Sequence, residues 1–303
     1  MRDFVDLQLE LQSELPDVEF RFQEPMRKHT SFRIGGNAEV MAFPKTAEEL
    51  SSIFHFANRV GIKTTILGAG TNILAPDKGI EGIVICLKDC LDGMEQLDTT
   101  HIRVMAGVTM ARAAVFAANL GLSGLEFAHG IPGTVGGGVY MNAGAYGGEM
   151  SQVVESVEVM DFTGTTRVLS NEQMAFQYRN SILESSELIA VSATFRLEPK
   201  SQEEIRVTMK DLMKRRSASQ PLDMPSAGSA FKRPVGGYAA ALIDEAGLKG
   251  YTVGGAAIST KHAGFAVNLG NATSEDVKKL LQDVSDIVYE KSGIRLEPEV
   301  RIW

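Results

Sequence analysis

Apolar residues near the start of the chain recur at intervals of three and four. They are Phe4, Leu7, Leu11 and Leu15. This spacing puts their side chains on one face of an α-helix, which is typical of an amphipathic helix. The sequence VEFRF that follows alternates apolar and polar positions and predicts a strand. Residues 1–23 are therefore expected to form an acidic amphipathic helix followed by a strand.

The next segment predicts a small β–α–β–β unit of roughly 65 residues. HTSFRIGGNAEVMAFP is rich in turn residues and leads into a strand that stops at Pro44. Thr46 and Glu49 have the spacing of a capping box, so a helix is expected to begin there and to end at Gly61. The positions expected on its buried face are Leu50, Ile53, Phe54 and Ala57. Strands are predicted for KTTIL and GIVICL, and the loop GAGTN follows the first of them.

Two further units are predicted from the same kind of pattern. The second begins near residue 100 with the strand IRVMAG and a helix from Thr109 to Leu120, and it has strands around 152–161, 166–169 and 188–196. The third begins where Ser201 and Glu204 form another capping-box pattern. Its predicted elements are a helix over 201–216, a helix around 237–246, a strand near 265–268, a long helix from Thr273 and the closing strand LEPEVRIW. Helices and strands are interleaved without a long parallel βαβ series, so the fold class is α+β.

Composition and charge narrow the class of protein. Apolar residues make up 44% of the chain and charged residues 22%, close to the averages for globular domains. No stretch approaches the ~18 consecutive apolar residues of a membrane-spanning helix, and the acidic N-terminus is unlike a signal peptide. The net charge of −8 disfavours broad binding to nucleic acid or to an anionic membrane, although it is compatible with a local basic pocket.

The possible metal ligands have no site spacing. Cys86 and Cys90 have no second Cys or His pair near them, and the five histidines are scattered along the chain. No metal site is predicted. The cysteines are expected to be two reduced thiols at a strand end, and the expected compartment is a reducing cytoplasm.

Two glycine-rich stretches suggest an anion-binding cradle. Nine of the 25 residues from Gly124 to Gly148 are glycine, and GAGTN (68–72) is a second such stretch. Glycine lets backbone N–H groups converge on a phosphate with no Cβ in the way. A Rossmann fingerprint is disfavoured because Ile73 stands at its third glycine position, and no P-loop motif occurs. Tight turns or bulges remain the alternative explanation of the glycines.

Several motifs in order resemble one family. They are HTSFRIGG, ILGAGTNIL, GLEFAHGIPGTVGGGVYMNAGAYGGE, YRNS, PSAGSAFKRP, LIDEAGLKG, ISTKHAGF and LEPEVR. Together they are similar to UDP-N-acetylenolpyruvoylglucosamine reductases, the flavoenzymes of peptidoglycan precursor synthesis, over residues 20–303. The chain resembles the shorter type, which lacks an extra substrate-covering loop.

The resemblance implies an FAD-binding region of the vanillyl-alcohol-oxidase (PCMH) type. This region is expected at 28–200, with α+β subdomains at about 28–90 and 91–200. An N-terminal helix and strand (1–27) precede it, and an α+β substrate-binding domain (201–303) follows.

The resemblance also implies three sets of site residues. The catalytic set is Ser229, Arg179 and Glu299. The cofactor-binding set is Arg33, Gly68, Ala69, Gly70, Thr71, Asn72, Gly130, Ile131, Pro132, Gly133, Thr134, Gly136, Gly137 and Asn142. The candidates for substrate binding are Tyr178, Lys232, Arg233, Lys261 and His262. Glu297 lies two residues from Glu299, and only the motif selects between these two carboxylates.

The implied reaction reduces an enolpyruvyl ether to a lactyl ether. NADPH would reduce FAD, the reduced flavin would deliver hydride to C3 of the enolpyruvyl group, and Ser229 would give a proton to C2. The expected partners are a UDP-sugar and NADPH, with no nucleic acid or membrane, and the chain is expected to be a monomer. Two alternatives remain: another FAD-dependent oxidase of the same fold acting on an alcohol, and a nucleotide-binding protein without chemistry.

Overall fold

The computed structural model describes residues 4–303, so residues 1–3 of the predicted first helix lie outside the described residues. The chain divides into two compact units. Unit 1 consists of Met1–Phe22, Glu39–Ala69 and Glu81–Lys214, and unit 2 of Gln23–Ala38, Gly70–Ile80 and Arg215–Trp303. The domain limits predicted from sequence stay a prediction, because a compact unit need not coincide with a ligand-binding domain.

The described residues contain seven α-helices. Their bounds are α1 Phe4–Glu14, α2 Ala47–Val60, α3 Met110–Asn119, α4 Val135–Tyr140, α5 Gln202–Ser219, α6 Ala239–Glu245 and α7 Ser274–Ser292. All of the helices expected from apolar periodicity are present. The helix α4 was not expected, because its sequence VGGGVY has three adjacent glycines.

The strands are short and numerous. Those of unit 1 and its borders are β1 Glu19–Pro25, β2 Asn37–Phe43, β3 Thr64–Leu67, β5 Ile80–Cys86, β6 Met94–Gln96, β7 His101–Met105, β8 Leu122–Ser123, β9 Gly144–Ala145, β10 Gly148–Glu149, β11 Val154–Asp161, β12 Thr166–Ser170, β13 Leu188–Arg196 and β14 Glu198–Pro199. Those of unit 2 are β4 Ile73–Leu74, β15 Ser226–Ser229, β16 Thr252–Val253, β17 Ala256–Ile258, β18 Phe265–Asn268 and β19 Arg301–Ile302.

Unit 1 is built on two sheets. One has four strands in the order β1-β2-β5-β3, in which β3 and β5 run parallel. The other has five strands in the order β12-β11-β13-β7-β6, and all of its neighbouring pairs are antiparallel. Unit 1 has two hydrophobic cores. One contains residues of the five-stranded sheet, α3, α4 and α5. The other contains residues of α1, α2, the four-stranded sheet and the strands β11 and β13.

The helix α2 shows how the local sequence sets the ends of an element. The Thr46 hydroxyl accepts a hydrogen bond from the Glu49 N–H at 3.1 Å, and Gly61 ends the helix at φ 71°. The Glu49 carboxylate accepts from the N–H of Lys45 at 2.7 Å, so the reciprocal half of the predicted capping box is displaced by one residue. The four predicted core positions of this helix are buried.

Unit 2 is an antiparallel sheet with two helices. Its strand order is β15-β18-β17-β16, and the core also contains side chains of α6 and α7. Phe32, Ile34 and Leu74 belong to this core although they come from early segments of the chain. The long helix predicted from Thr273 is present as α7, and Thr273 and Asp276 form a full capping box at its start.

The predicted closing strand is wrong in its extent. Of LEPEVRIW, only Arg301–Ile302 forms a strand, which pairs in parallel with Ile73–Leu74. Pro298 makes an isolated bridge to Phe231, and the residues between bend away from a regular ladder. The ladder ends there because the chain next pairs with a different segment, in which the N–H of Arg301 donates to the carbonyl of Asn72 at 2.9 Å.

Two other sequence expectations concern membrane segments and thiols. Within residues 4–303, no helix combines the length and the low polarity that a bilayer crossing requires. Cys86 and Cys90 are free thiols, Cys86 being the last residue of β5. Burial is the largest influence on both, and it raises the pKa of Cys86 to about 11 and that of Cys90 to about 12.

Candidate active site

The two glycine-rich stretches meet within unit 1. A Cβ placed on Gly68 would lie 2.7 Å from Oγ1 of Thr134, closer than side-chain atoms pack, so the absence of a side chain at Gly68 permits this approach. The backbone N–H groups of Gly68, Ala69, Gly133 and Thr134 donate to no acceptor in residues 4–303. Unused N–H groups beside glycines suit an acceptor-rich ligand, and a pyrophosphate is such a ligand. These residues therefore fit the FAD that the sequence implies.

Other glycines of the stretch from Gly124 to Gly148 allow neighbouring residues to pack closely against the backbone. A Cβ on Gly136 would lie 2.9 Å from Cβ of Ala106, and one on Gly138 would lie 2.8 Å from Sδ of Met110. The Thr134 hydroxyl accepts from the N–H of Gly137 at 3.3 Å and caps α4. The turn-and-packing explanation of the glycines thus holds for Gly136 and Gly138, and the open-cradle explanation suits the residues before them.

The start of the second stretch is a turn. The N–H of Ile131 donates to the carbonyl of Ala128 at 3.0 Å, Pro132 after it is exposed, and Gly133 has φ 138°. The carbonyl of Gly133 accepts from the N–H of Met110 at 3.0 Å. The start of α3 therefore holds the turn that contains the predicted cofactor-binding residues 130–134.

The end of GAGTN belongs to unit 2. Gly70 is buried at φ 61°, and a Cβ there would lie 2.1 Å from the carbonyl oxygen of His29. The side-chain amide of Asn72 donates to the carbonyl of Glu299 at 3.1 Å, and the carbonyl of Asn72 accepts from the N–H of Arg301 at 2.9 Å. The predicted cofactor residues 70–72 thus contact the segment that contains a predicted catalytic carboxylate.

Ser229 and Glu299 come together in unit 2. The N–H of Glu299 donates to the carbonyl of Ala230 at 2.9 Å, so the two predicted catalytic residues lie on adjacent backbone segments. The register of β15 against β18 shifts between Ser226 and Ser229, and Gly228 has φ 78° inside that irregularity. Ser229 is exposed, and its hydroxyl is therefore accessible to a ligand.

Arg179 lies in unit 1 on a strained turn. Its φ is 56°, a left-handed conformation that is uncommon for a residue with a long side chain. Its guanidinium carbon lies 5.0 Å from the centre of the Tyr178 ring. The N–H of Gln177 donates to the carbonyl of Asn180 at 3.0 Å and closes this turn. A left-handed conformation at such a residue persists only where its surroundings hold it.

Asn142 supports the same turn. Its side chain is 2% exposed, its amide nitrogen donates to the carbonyl of Gln177 at 3.0 Å, and its amide oxygen accepts from the N–H of Ser151 at 2.9 Å. Both side-chain contacts of Asn142 are thus to protein backbone, and the one to Gln177 lies next to Arg179. Sequence spacing gives no signal for this contact, because Asn142 and Gln177 are 35 residues apart.

The basic residues expected at the substrate differ in their surroundings. Lys232 pairs with the exposed carboxylate of Glu297, and the guanidinium of Arg233 lies 4.1 Å from the centre of the Tyr238 ring. The ammonium of Lys261 donates to the carbonyl of Ser217 at 2.7 Å. All of these residues belong to unit 2.

His262 and Arg33 complete the predicted set. The N–H of Gly264 donates to Nδ1 of His262 at 3.1 Å, which assigns the proton of the neutral ring to Nε2. Burial lowers the pKa of His262 from its ordinary value. Arg33 is exposed at φ 57° in the turn closed by its own N–H and the carbonyl of Thr30.

Comparison with known proteins decides the family. The model of the UDP-N-acetylenolpyruvoylglucosamine reductase C-terminal domain matches residues 220–303, and a model named FAD binding domain matches 38–170. The chain is 47% identical over 288 residues to a UDP-N-acetylenolpyruvoylglucosamine reductase of Caldanaerobacter subterraneus subsp. tengcongensis, covering 95% of each chain. The chain belongs to the UDP-N-acetylenolpyruvoylglucosamine reductase family.

Other relatives agree with this assignment. The reductase of Clostridioides difficile is 43% identical, with 98% of this chain and 97% of that protein covered. The crystal structure of the enzyme from Thermus caldophilus has a TM-score of 0.79 and 36% identity, and covers 94% of this chain and 98% of that one. These matches confirm the predicted α+β fold and its FAD-binding region. The chain is an FAD-dependent oxidoreductase of this family.

Proposed function

We propose that this chain reduces UDP-N-acetylglucosamine enolpyruvate to UDP-N-acetylmuramate with electrons from NADPH. The observation that carries the proposal is the 2.9 Å hydrogen bond from the Glu299 N–H to the Ala230 carbonyl, next to exposed Ser229. It supports a hydroxyl and a carboxylate acting at one substrate. The names of the relatives support the choice of substrate.

The chemistry that FAD would supply when bound is hydride transfer, with NADPH as the source and C3 of the enolpyruvyl group as the acceptor. The protein then has to manage the negative charge that grows at C2 and on the adjacent carboxylate. We assign the proton to the hydroxyl of Ser229, which gives it to C2 and regains one from solvent, to which the residue is exposed. The product therefore gains one hydride at C3 and one proton at C2, and the serine is restored.

We assign Arg179 and Glu299 to stabilising the negative charge that grows on the substrate. A guanidinium has a planar set of donors that matches a carboxylate, so Arg179 suits the enolpyruvyl carboxylate. Glu299 orients a donor toward the reacting group. Its backbone is held by Ala230 on one side and by Asn72 on the other, which favours a fixed position for its side chain.

The remaining basic groups are assigned to the substrate diphosphate. Arg233 and Lys232 lie directly after the segment that contains Ser229, and Lys261 and His262 lie before β18, the neighbouring strand. Tyr178 is exposed beside Arg179 and offers an aromatic face to the substrate. We expect a monomer that acts in the cytoplasm on this substrate and NADPH.

An anaerobic absorbance experiment tests the proposed function. The purified protein would be loaded with FAD, reduced with NADPH, and then mixed with UDP-N-acetylglucosamine enolpyruvate. We expect the oxidised-flavin bands to bleach and then to return when that substrate is added. If the bands bleached but did not return, the enolpyruvyl compound would not be the electron acceptor. Turnover of a simple alcohol with oxygen would favour an oxidase.

A further inference from the structure

One residue outside every predicted set links two predicted parts of the site. Ser31 lies in a turn of unit 2 that the N–H of Arg33 closes by donating to the carbonyl of Thr30 at 3.0 Å. The N–H of Ser31 donates to the carbonyl of Gly70 at 3.0 Å. Its hydroxyl oxygen lies 2.6 Å from the carbonyl oxygen of Ser226 and 3.3 Å from that of Gly70.

The two donors of Ser31 serve two different segments. A hydroxyl has one proton, and the shorter distance assigns it to Ser226, the first residue of β15. The N–H of Ser31 already donates to the carbonyl of Gly70, which belongs to GAGTN, the predicted cofactor-binding loop. Ser31 therefore joins the loop that contains Gly70 to the strand that ends at Ser229.

That strand is held by backbone bonds at its two ends, where the carbonyl of Pro225 accepts from the N–H of Asn268 at 2.9 Å and the N–H of Ala230 donates to the carbonyl of Gly264 at 2.8 Å. Its register against β18 is interrupted between Ser226 and Ser229, where Gly228 has φ 78° and no atom within 4 Å of a Cβ that would be built there. The hydroxyl of Ser31 therefore adds a side-chain restraint at Ser226, where the interrupted part of the ladder begins. The contact between Gly70 and His29 is tight, so the turn that contains Ser31 is itself well fixed.

We propose that Ser31 is a positioning residue that fixes Ser229 relative to GAGTN, the predicted cofactor-binding loop. The inference rests on the proposed function, because it takes Ser229 as the proton donor. Ser31 itself transfers no proton to the substrate. Its hydroxyl holds the start of β15 so that the Ser229 hydroxyl meets C2 when hydride arrives at C3.

The test separates the two half-reactions in Ser31→Ala, Ser31→Thr and a control, Ser292→Ala. The control also removes a hydroxyl that donates to a backbone carbonyl of unit 2, that of Val288 at 2.7 Å. In Ser31→Ala we expect flavin reduction by NADPH to stay within about twofold of wild type. Reoxidation by saturating enolpyruvyl substrate should slow about three- to tenfold, the effect of one hydrogen bond, with a larger solvent isotope effect. Ser31→Thr keeps the hydroxyl and should restore the rate.

A second readout does not depend on activity. Hydrogen exchange of the backbone amides of residues 226–230 would be followed by mass spectrometry in the FAD-loaded proteins. We expect faster exchange in Ser31→Ala than in wild type, and wild-type exchange in Ser31→Thr and in Ser292→Ala.

Three results would overturn the proposal. The first is reoxidation of Ser31→Ala at the rate of the Ser292→Ala control. The second is equal slowing of both half-reactions in Ser31→Ala together with loss of flavin. The third is a stable Ser31→Thr variant that is reoxidised as slowly as Ser31→Ala. Failure of the proposed function is distinct, because it would appear in the wild-type protein as reduced flavin that the enolpyruvyl substrate does not reoxidise.

Discussion

The side-chain amide of Asn72 donates a hydrogen bond to the backbone carbonyl of Glu299 at 3.1 Å. The two residues are 227 positions apart, and both belong to unit 2. The N–H of Arg301 returns a bond to the carbonyl of Asn72 at 2.9 Å. These two hydrogen bonds connect the C-terminal segment to the end of GAGTN. A change in that loop would therefore shift the backbone of Glu299, the predicted catalytic carboxylate.

The first prediction concerns Ser229. Ser229→Ala removes the assigned proton donor and leaves the glycine-rich loops unchanged, so reduction of the flavin by NADPH should proceed at nearly the wild-type rate. Reoxidation by the enolpyruvyl substrate should slow by roughly 10²–10⁴-fold, the usual range for a general acid. Stopped-flow absorbance measures both steps. Wild-type reoxidation in this variant would remove Ser229 from the mechanism.

The second prediction compares two glycines with similar backbones. Gly70 has φ 61° and a would-be Cβ 2.1 Å from the carbonyl oxygen of His29, whereas Gly61 has φ 71° and open space. Both Gly→Ala changes add left-handed strain of about 1–2 kcal/mol, but only Gly70→Ala adds a clash with backbone. We expect flavin content to fall in Gly70→Ala and to stay at the wild-type level in Gly61→Ala. Equal flavin content in the two purified variants would contradict this role of Gly70.

The sequence predicts best where an element depends on its own residues. The starts of α2, α3 and α7 follow from Thr46, Thr109 and Thr273, whose hydroxyls each accept an N–H of the first turn. The helix α4 has poor intrinsic propensity because of its glycines, and it forms where Gly136 packs against Ala106. That contact comes from the tertiary fold and is invisible to a local pattern.

The predicted site likewise contains residues that a sequence motif identifies and a residue that only a tertiary contact reveals. Motif similarity selects Ser229 and Glu299, and the backbone bond between Glu299 and Ala230 brings their segments together. Ser31 lies inside the motif HTSFRIGG, but motif similarity assigns it no role, because its partner Ser226 is 195 residues away and accepts through a backbone carbonyl that every residue type possesses. A contact of side chain to backbone places no constraint on the identity of Ser226, so the sequence has no pattern to reveal it.

The third prediction concerns pH and stability. His101 lies between two carboxylates of unit 1: its Nδ1 is 2.9 Å from Asp98 and its Nε2 is 3.3 Å from Glu155. The hydrogen bond to Asp98, helped by the charge of Glu155, raises the pKa of His101 above its ordinary value of 6.5. A raised pKa in the folded chain stabilises it at low pH, and the contribution is lost as pH rises through that raised value.

We therefore expect His101→Gln to lower the free energy of unfolding more at about pH 5.5 than at about pH 8.5. Urea unfolding at the two pH values measures the difference. His55→Gln, at an exposed position of α2, is the control and should show no such dependence. A loss in His101→Gln that is larger at the higher pH would have the wrong sign for this arrangement.

The fourth prediction is the tautomer of His262. The N–H of Gly264 donates to Nδ1 at 3.1 Å, and burial lowers the pKa of the ring. At neutral pH the ring should be uncharged with its proton on Nε2, so it would act as a hydrogen-bond donor to substrate. Nitrogen-15 NMR of labelled protein distinguishes the tautomers. A protonated Nδ1 at pH 7 would contradict the assignment.

The last prediction separates the two carboxylates that the sequence leaves side by side. Glu297 pairs with Lys232 through a side chain that is 70% exposed, and its carbonyl accepts from the Lys232 N–H at 2.8 Å. Glu299 is half-buried and donates its N–H to Ala230 beside the assigned proton donor. Both Glu→Gln changes remove one charge and keep the side-chain volume. Glu299→Gln should slow reoxidation of the flavin by the enolpyruvyl substrate roughly 10²-fold. Glu297→Gln should stay within about threefold and cost less than about 1 kcal/mol of stability, as is usual for an exposed ion pair. If Glu297→Gln were the slower variant in single-turnover measurements, the catalytic carboxylate would be Glu297.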